Sequence, residues 1–70
     1  MMGIKSKVGN RIKEIREQKS ISQKDLSYTA DLDRSYIASV ENGKRNISIV
    51  NLEKIAIALK VSLSELFGGI

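Results

Sequence analysis

Cysteine, histidine and proline are all absent from this 70-residue chain. Without cysteine there is no disulfide framework and no thiolate metal site. Without cysteine or histidine, thiol and imidazole catalysis go as well, and with them most nucleophilic mechanisms. Missing cysteine lends no support to an oxidising compartment. Without proline, helix boundaries have to be marked by capping residues or by glycine. Glycine is sparse, at Gly3, Gly9, Gly43, Gly68 and Gly69, so the interior has one glycine break, at Gly43. No apolar run approaches the roughly 18 residues of a membrane span, and the N-terminus lacks the apolar core of a signal peptide. A cytoplasmic protein with no membrane partner is expected.

What is present fits one small domain, residues 1–70 with a core of about 8–67. So short a chain buries a modest share of its surface, and every apolar position counts towards stability. Twelve Lys and Arg stand against eight Asp and Glu, for a net charge of +4. That excess favours a polyanionic partner, although an ordinary soluble surface also accommodates it.

Apolar spacing and polar caps outline five helices. The first spans about Lys7 to Lys19, with Val8, Ile12 and Ile15 on one face. Ser22 opens a second helix, Gln23 to Ala30, its hydroxyl placed to cap the N–H groups near Asp25. Asp25 stands where a capping box has Glu or Gln. Asp31-Leu32-Asp33 breaks the chain, and Asp33 caps a third helix from Arg34 to about Asn42, with Ile37 and Val40 inward. Gly43 stops it, since glycine takes a positive φ without penalty. Ser48 caps a fourth helix that carries Ile49, Leu52, Ile55, Ala56 and Leu59 in helical register. Ser62-Leu63-Ser64-Glu65 is a full capping box for a last short helix ending at Phe67. No period-two pattern occurs, so the fold class expected is all-α: a compact five-helix bundle.

Helices two and three, joined by about three residues, have the form of a helix-turn-helix, whose second helix lies in the DNA major groove. At 100° per residue, Ser35, Ser39 and Asn42 point away from the buried side, flanked by Ala38 and Tyr36, with Arg34 at the entering end. Short side chains let this helix approach base edges. Arginine pairs bidentately with guanine O6 and N7, and serine bonds to several base edges. A solvated helix face would show the same pattern. Gln23 stands at a helix N-terminus that offers N–H groups to a phosphate. Lys44, Arg45 and Asn46 follow the third helix, where they reach backbone phosphates or form an ordinary exposed basic loop.

The stretch from Ile21-Ser-Gln-Lys-Asp-Leu, through Asp31-Leu-Asp-Arg-Ser-Tyr-Ile-Ala-Ser-Val-Glu-Asn-Gly-Lys-Arg45, to Leu59-Lys-Val-Ser-Leu-Ser-Glu-Leu-Phe67 closely resembles the Cro/phage-repressor-type (XRE) helix-turn-helix family. Within it, the Leu32–Ile37 segment and the Lys44–Ser48 loop look most like restriction–modification controller proteins. The resemblance implies a lambda-repressor-like fold and a transcriptional regulator that binds a palindromic operator in double-stranded DNA as a homodimer. It assigns Gln23 to phosphate and base contact, Arg34, Ser35, Tyr36 and Ser39 to the groove, and Asn42, Lys44, Arg45 and Asn46 to the backbone. It makes Glu41 the partner of Arg16 in a structural pair, not a catalytic acid. Two positions depart from the family: Asp31 stands where glycine is usual, and Ser27 where alanine is common.

Val61, Leu63, Leu66, Phe67 and Ile70 offer more apolar surface than one small core needs, so this end, with the close of helix four, is expected to form the dimer interface. An antitoxin or adaptor that uses a helix-turn-helix body to bind another protein is the alternative. An enzyme is not expected, because no pocket of carboxylates or lysine is evident. Nor is any metal, cofactor or small-molecule ligand.

Overall fold

The computed structural model describes residues 3–70. Its helices are α1 (Ile4–Gln18), α2 (Gln23–Ala30), α3 (Arg34–Glu41), α4 (Ile49–Leu59) and α5 (Leu63–Phe67), with no strand among the described residues. The fold is the all-α, five-helix architecture expected.

Serine hydroxyls start three of the helices. Ser22 accepts from the Asp25 N–H at 3.0 Å, Ser48 from the Asn51 N–H at 3.1 Å, and Ser62 from the Glu65 N–H at 3.0 Å. Glu65 returns the bond by accepting the Ser62 N–H at 3.1 Å, completing the capping box. The Ser62 backbone and then its hydroxyl hold the Glu65 carboxyl below its ordinary value. This box is therefore intact above the usual Glu range and lets go as acid protonates Glu65. Gly3 and Asp33 occupy the cap positions of α1 and α3 without a side-chain bond. The first helix starts three residues before the expected Lys7, and Asn42 is the C-cap of α3 instead of its last residue.

One closure ends each of the first four helices. A residue with positive φ donates back three positions, and the next residue donates back five, as in a Schellman motif. The left-handed residues are Ser20, Asp31, Gly43 and Lys60. The five-back bonds are Ile21 to Arg16 (2.9 Å), Leu32 to Ser27, Lys44 to Ser39 and Val61 to Ala56 (each 3.0 Å). Ile21, Leu32 and Val61 fold onto the core as the chain turns. Three of these four positions lack glycine, so each carries the strain of a Cβ in the left-handed region.

The core joins Val8, Ile12 and Ile15 of α1, Leu26 and Ala30 of α2, Ile37 and Val40 of α3, and Leu52, Ile55, Ala56 and Leu59 of α4. Leu66 completes it, which corrects the expectation that placed Leu66 at a dimer interface. It is fully buried within a single chain, because α5 turns its one inward position onto α1 and α4. Arg11 of α1 pins α5 in place, donating from Nε to the Leu66 carbonyl at 3.0 Å and from Nη2 to that of Glu65 at 2.9 Å. Phe67 and Ile70 remain exposed, and Val61 and Leu63 half-buried.

The α1–α3 crossing depends on Gly9. A Cβ at this position would lie 2.1 Å from the Val40 carbonyl oxygen and 2.9 Å from that of Glu41. Backbone meets backbone here, and no rotamer relieves the clash. Gly9→Ala should therefore destabilise the fold by about 1–3 kcal/mol as α1 and α3 are forced apart. Lys60→Gly should stabilise it by about 1 kcal/mol by removing the Cβ from the left-handed region. In thermal denaturation, each kcal/mol moves the midpoint by about 4–8 °C for a domain of this size. A Gly9→Ala midpoint equal to the parent's would contradict the close approach.

Candidate nucleic-acid interface

Two eight-residue helices, α2 and α3, are joined by Asp31-Leu32-Asp33. Asp31 takes the left-handed conformation at φ 57°, ψ 49°, which Asp tolerates better than most residues. Leu32 tucks towards the core, and Asp33 returns the chain to extended geometry before Arg34. An isolated helix of this length is barely stable in water, so the orientation of α3 comes from what its inner side touches. That side is Ile37, Val40 and Glu41, all buried. Arg34, Ser35 and Asn42 are exposed and Ser39 half-buried on the outer side, and Lys44, Arg45 and Asn46 continue the surface, exposed, beyond the helix. The predicted reading and gripping residues are thus exposed or half-buried, and two of them, Gln23 and Tyr36, are held by bonds within the protein.

Behind α3 lies a buried ionic cluster. The Arg16 guanidinium meets Glu41 bidentately, with Nε to Oε2 at 2.7 Å and Nη2 to Oε1 at 3.0 Å. Its remaining nitrogen donates to the Ile21 carbonyl at 2.8 Å. Both residues are buried, and no buried side-chain nitrogen or oxygen among the described residues lacks a partner. The hydrogen bond to Glu41 raises the Arg16 pKa against the opposing effect of burial, aided by the charges of Glu41 and Glu17. These are the two residues that the family resemblance paired, and their side chains meet here. Gln23 adds a third member, its amide donating from Nε2 to Glu41 Oε1 at 3.0 Å. A glutamine expected on the DNA is thus also tied to the buried carboxylate, so the first turn of α2 and the end of α3 are fastened together.

On the other flank, Tyr36 leans towards α4 and packs against the core, half-buried. Asn51, in the first turn of α4, donates from Nδ2 to the Tyr36 hydroxyl oxygen at 3.1 Å. The Arg45 guanidinium lies over the ring, 5.0 Å from its centre, within cation–π range. Asn51 escaped the sequence reading because it lies 15 residues beyond Tyr36. No helical spacing links the two.

A family model described as Helix-turn-helix matches residues 12–66. The chain belongs to the helix-turn-helix family. Over its whole length it is 51% identical to control protein C.MunI of Mycoplasma sp, spanning 96% of that protein. The fold superimposes with a TM-score of 0.88 on the restriction–modification controller protein C.AhdI from Aeromonas hydrophila, at 46% identity, covering 90% of this chain and 96% of that one. It matches equally well, at TM-score 0.90 and 41% identity, the restriction–modification controller protein C.Esp1396I, solved as a tetramer with its natural 35 base-pair operator. That comparison covers 97% of this chain and 90% of C.Esp1396I.

Removing one partner of the buried pair strands the other charge. Glu41→Ala should cost about 3–5 kcal/mol in denaturant unfolding. Replacing both, as Arg16→Met with Glu41→Leu, should cost less than either single change, because no unpaired charge remains. Additive losses in the double variant would show that the two residues do not act as a pair.

Proposed function

We propose that this protein is a transcriptional regulator of the restriction–modification controller type, working in the cytoplasm and binding operator DNA with α3 in the major groove. The observation that carries the reading is the outer surface of α3 and its following loop. Short polar side chains lie along the helix, with an exposed arginine at its entering end and two further exposed cations beyond its exit. The relatives are regulators by name, and C.Esp1396I is bound to its operator as an assembly of chains. The composition supplies no cysteine or histidine for catalysis, and we assign it no enzymatic role.

Arg34 reads bases, with Ser35, Tyr36 and Ser39 beside it, while Asn42, Lys44, Arg45 and Asn46 follow the phosphates. Gln23 contributes a backbone contact from a side chain oriented by Glu41. A base contact is worth about 1–3 kcal/mol on the preferred sequence and little on others, whereas a phosphate contact weakens all sequences alike. Arg34→Ala should collapse the ratio of operator to scrambled-duplex affinity. Lys44→Ala should leave that ratio near the parent's, lower both affinities, and reduce the salt slope by about one. Lys44 makes the cleaner comparison, since Arg45 also touches the Tyr36 ring. Equal losses on both duplexes for Arg34→Ala would make Arg34 a backbone contact.

One recognition helix reads only a few base pairs, so a two-fold dimer on half-sites roughly 34 Å apart is the arrangement proposed. With Leu66 committed to the core, the outer face of α4 becomes the centre of the interface. Ile49, Val50 and Ile57 are 76%, 61% and 68% exposed there, with the half-buried Val61 and Leu63 just beyond the helix end. Phe67 and Ile70 are exposed too, but next to α1: Phe67 beside Ile4 and Val8, Ile70 beside Lys7 and Asn10. Two α4 helices crossing antiparallel near Ile57 bring Glu53 of one copy towards Lys60 of the other, a self-complementary contact. Ile57→Glu should shift sedimentation from dimer to monomer and weaken operator binding. A parent that sediments as a monomer at high micromolar concentration, free and on DNA, would remove the dimer.

A further inference from the structure

The Tyr36 side chain, half-buried on α3 two residues after Arg34, already has three contacts within the protein. The ring packs against the core on one side and lies under the Arg45 guanidinium on another, and Asn51 meets the oxygen. A tyrosine held in this way loses little freedom when it meets DNA. The direction of the Asn51 bond also matters. Asn51 donates, so the hydroxyl oxygen is the acceptor within the protein and keeps its own hydrogen to offer elsewhere. In the major groove, acceptors are the N7 of either purine, guanine O6 and thymine O4, whereas the amino groups of cytosine and adenine are donors.

We propose that Asn51 is a specificity-determining positioning residue. By donating to Tyr36 it presents the tyrosine O–H as an outward donor that selects a hydrogen-bond acceptor on a base edge. Asn51 acts through Tyr36 and touches no base itself. The inference rests on the reading of α3 as the helix in the groove. It adds that one base preference is set from α4, outside the helix-turn-helix unit.

Substitutions at position 51 change the polarity of the contact without disturbing the helix. The Asn51 backbone N–H that caps on Ser48 survives any of them. In Asn51→Ala the hydroxyl rotates freely and tolerates donor and acceptor edges alike. In Asn51→Asp the carboxylate only accepts, so the tyrosine turns its hydrogen inward and offers a lone pair to the DNA. In Tyr36→Phe the hydroxyl is gone, and position 51 loses its route to the base.

The test is selection of preferred sites from a randomised operator library, with affinities measured on the parent and single-base variants. The proteins are the full chain, Asn51→Ala, Asn51→Asp, Tyr36→Phe, Arg34→Ala and Asn51→Ala with Tyr36→Phe, their melting temperatures compared to establish folding. Asn51→Ala should flatten the preference at one base pair by about threefold to tenfold, the range of one neutral hydrogen bond. Tyr36→Phe should flatten the same base pair, and the double variant should go no further. Asn51→Asp should move that preference from acceptor to donor edges, beyond any uniform weakening from its added charge. Asn51→Ala weakening every sequence by one factor would make Asn51 or Tyr36 a phosphate contact and overturn the proposal, as would losses that multiply in the double variant. If only the position-51 effects fail, α3 still reads DNA. If Arg34→Ala and Tyr36→Phe also leave every base preference unchanged, the reading of α3 fails and the proposal with it.

Discussion

The bidentate contact between Arg16 and Glu41 is the constraint around which the rest of this small fold is arranged. Arg16 closes α1, the Ile21 carbonyl lies in the turn that follows, Gln23 begins α2, and Glu41 ends α3. Four segments therefore converge on two charges. Removing those charges from water is expensive, and a buried pair is often no more stabilising than apolar residues of the same volume. Here the desolvation is offset by two strong parallel bonds and by further bonds to Ile21 and Gln23. What the pair adds is direction. An apolar contact between α1 and α3 would tolerate sliding or rotation by a few degrees, whereas a fork of two hydrogen bonds does not.

Direction matters because α3 has so little else to define it. Eight residues bury two apolar side chains and one carboxylate. Gly9 lets α1 come close enough for its backbone to meet the last carbonyls of α3, which holds the helix end within reach of Arg16. On the other flank, Tyr36 ties α3 to α4 through Asn51 and to the loop through Arg45. The outer side chains thus stand on a helix fixed at one end by charge and on one side by an aromatic ring. A reading surface has to be preorganised in this way if its contacts are to separate one base pair from another.

Much of this was legible in the residues. The bounds of α2, the serine caps at Ser22, Ser48 and Ser62, and the stop at Gly43 follow from local chemistry, since each signal lies within four residues of its effect. The start of α1 did not show because Gly3 offers no side-chain cap. Gly9 fell inside the expected first helix, and nothing near it in the chain indicates that α3 crosses there. Leu66 looked like surplus apolar surface because helical spacing cannot indicate which face a five-residue helix turns inward. Gln23 and Asn51 have partners 18 and 15 residues away, and no periodicity reports on those bonds. The family resemblance supplied the Arg16–Glu41 pair, which spacing alone would also have missed.

The central claim is that α3 is set in place by the buried pair before any DNA arrives. Nitrogen-15 side-chain NMR of the arginines tests it most directly, by comparing guanidinium N–H exchange in the free protein and in its operator complex. The account predicts that Arg16 N–H groups exchange slowly in the free protein, far more slowly than those of Arg34 and Arg45, and shift little when operator is added. Arg16 exchanging as fast as the exposed arginines until DNA binds would contradict it, because the pair would then be a product of the complex and not its foundation.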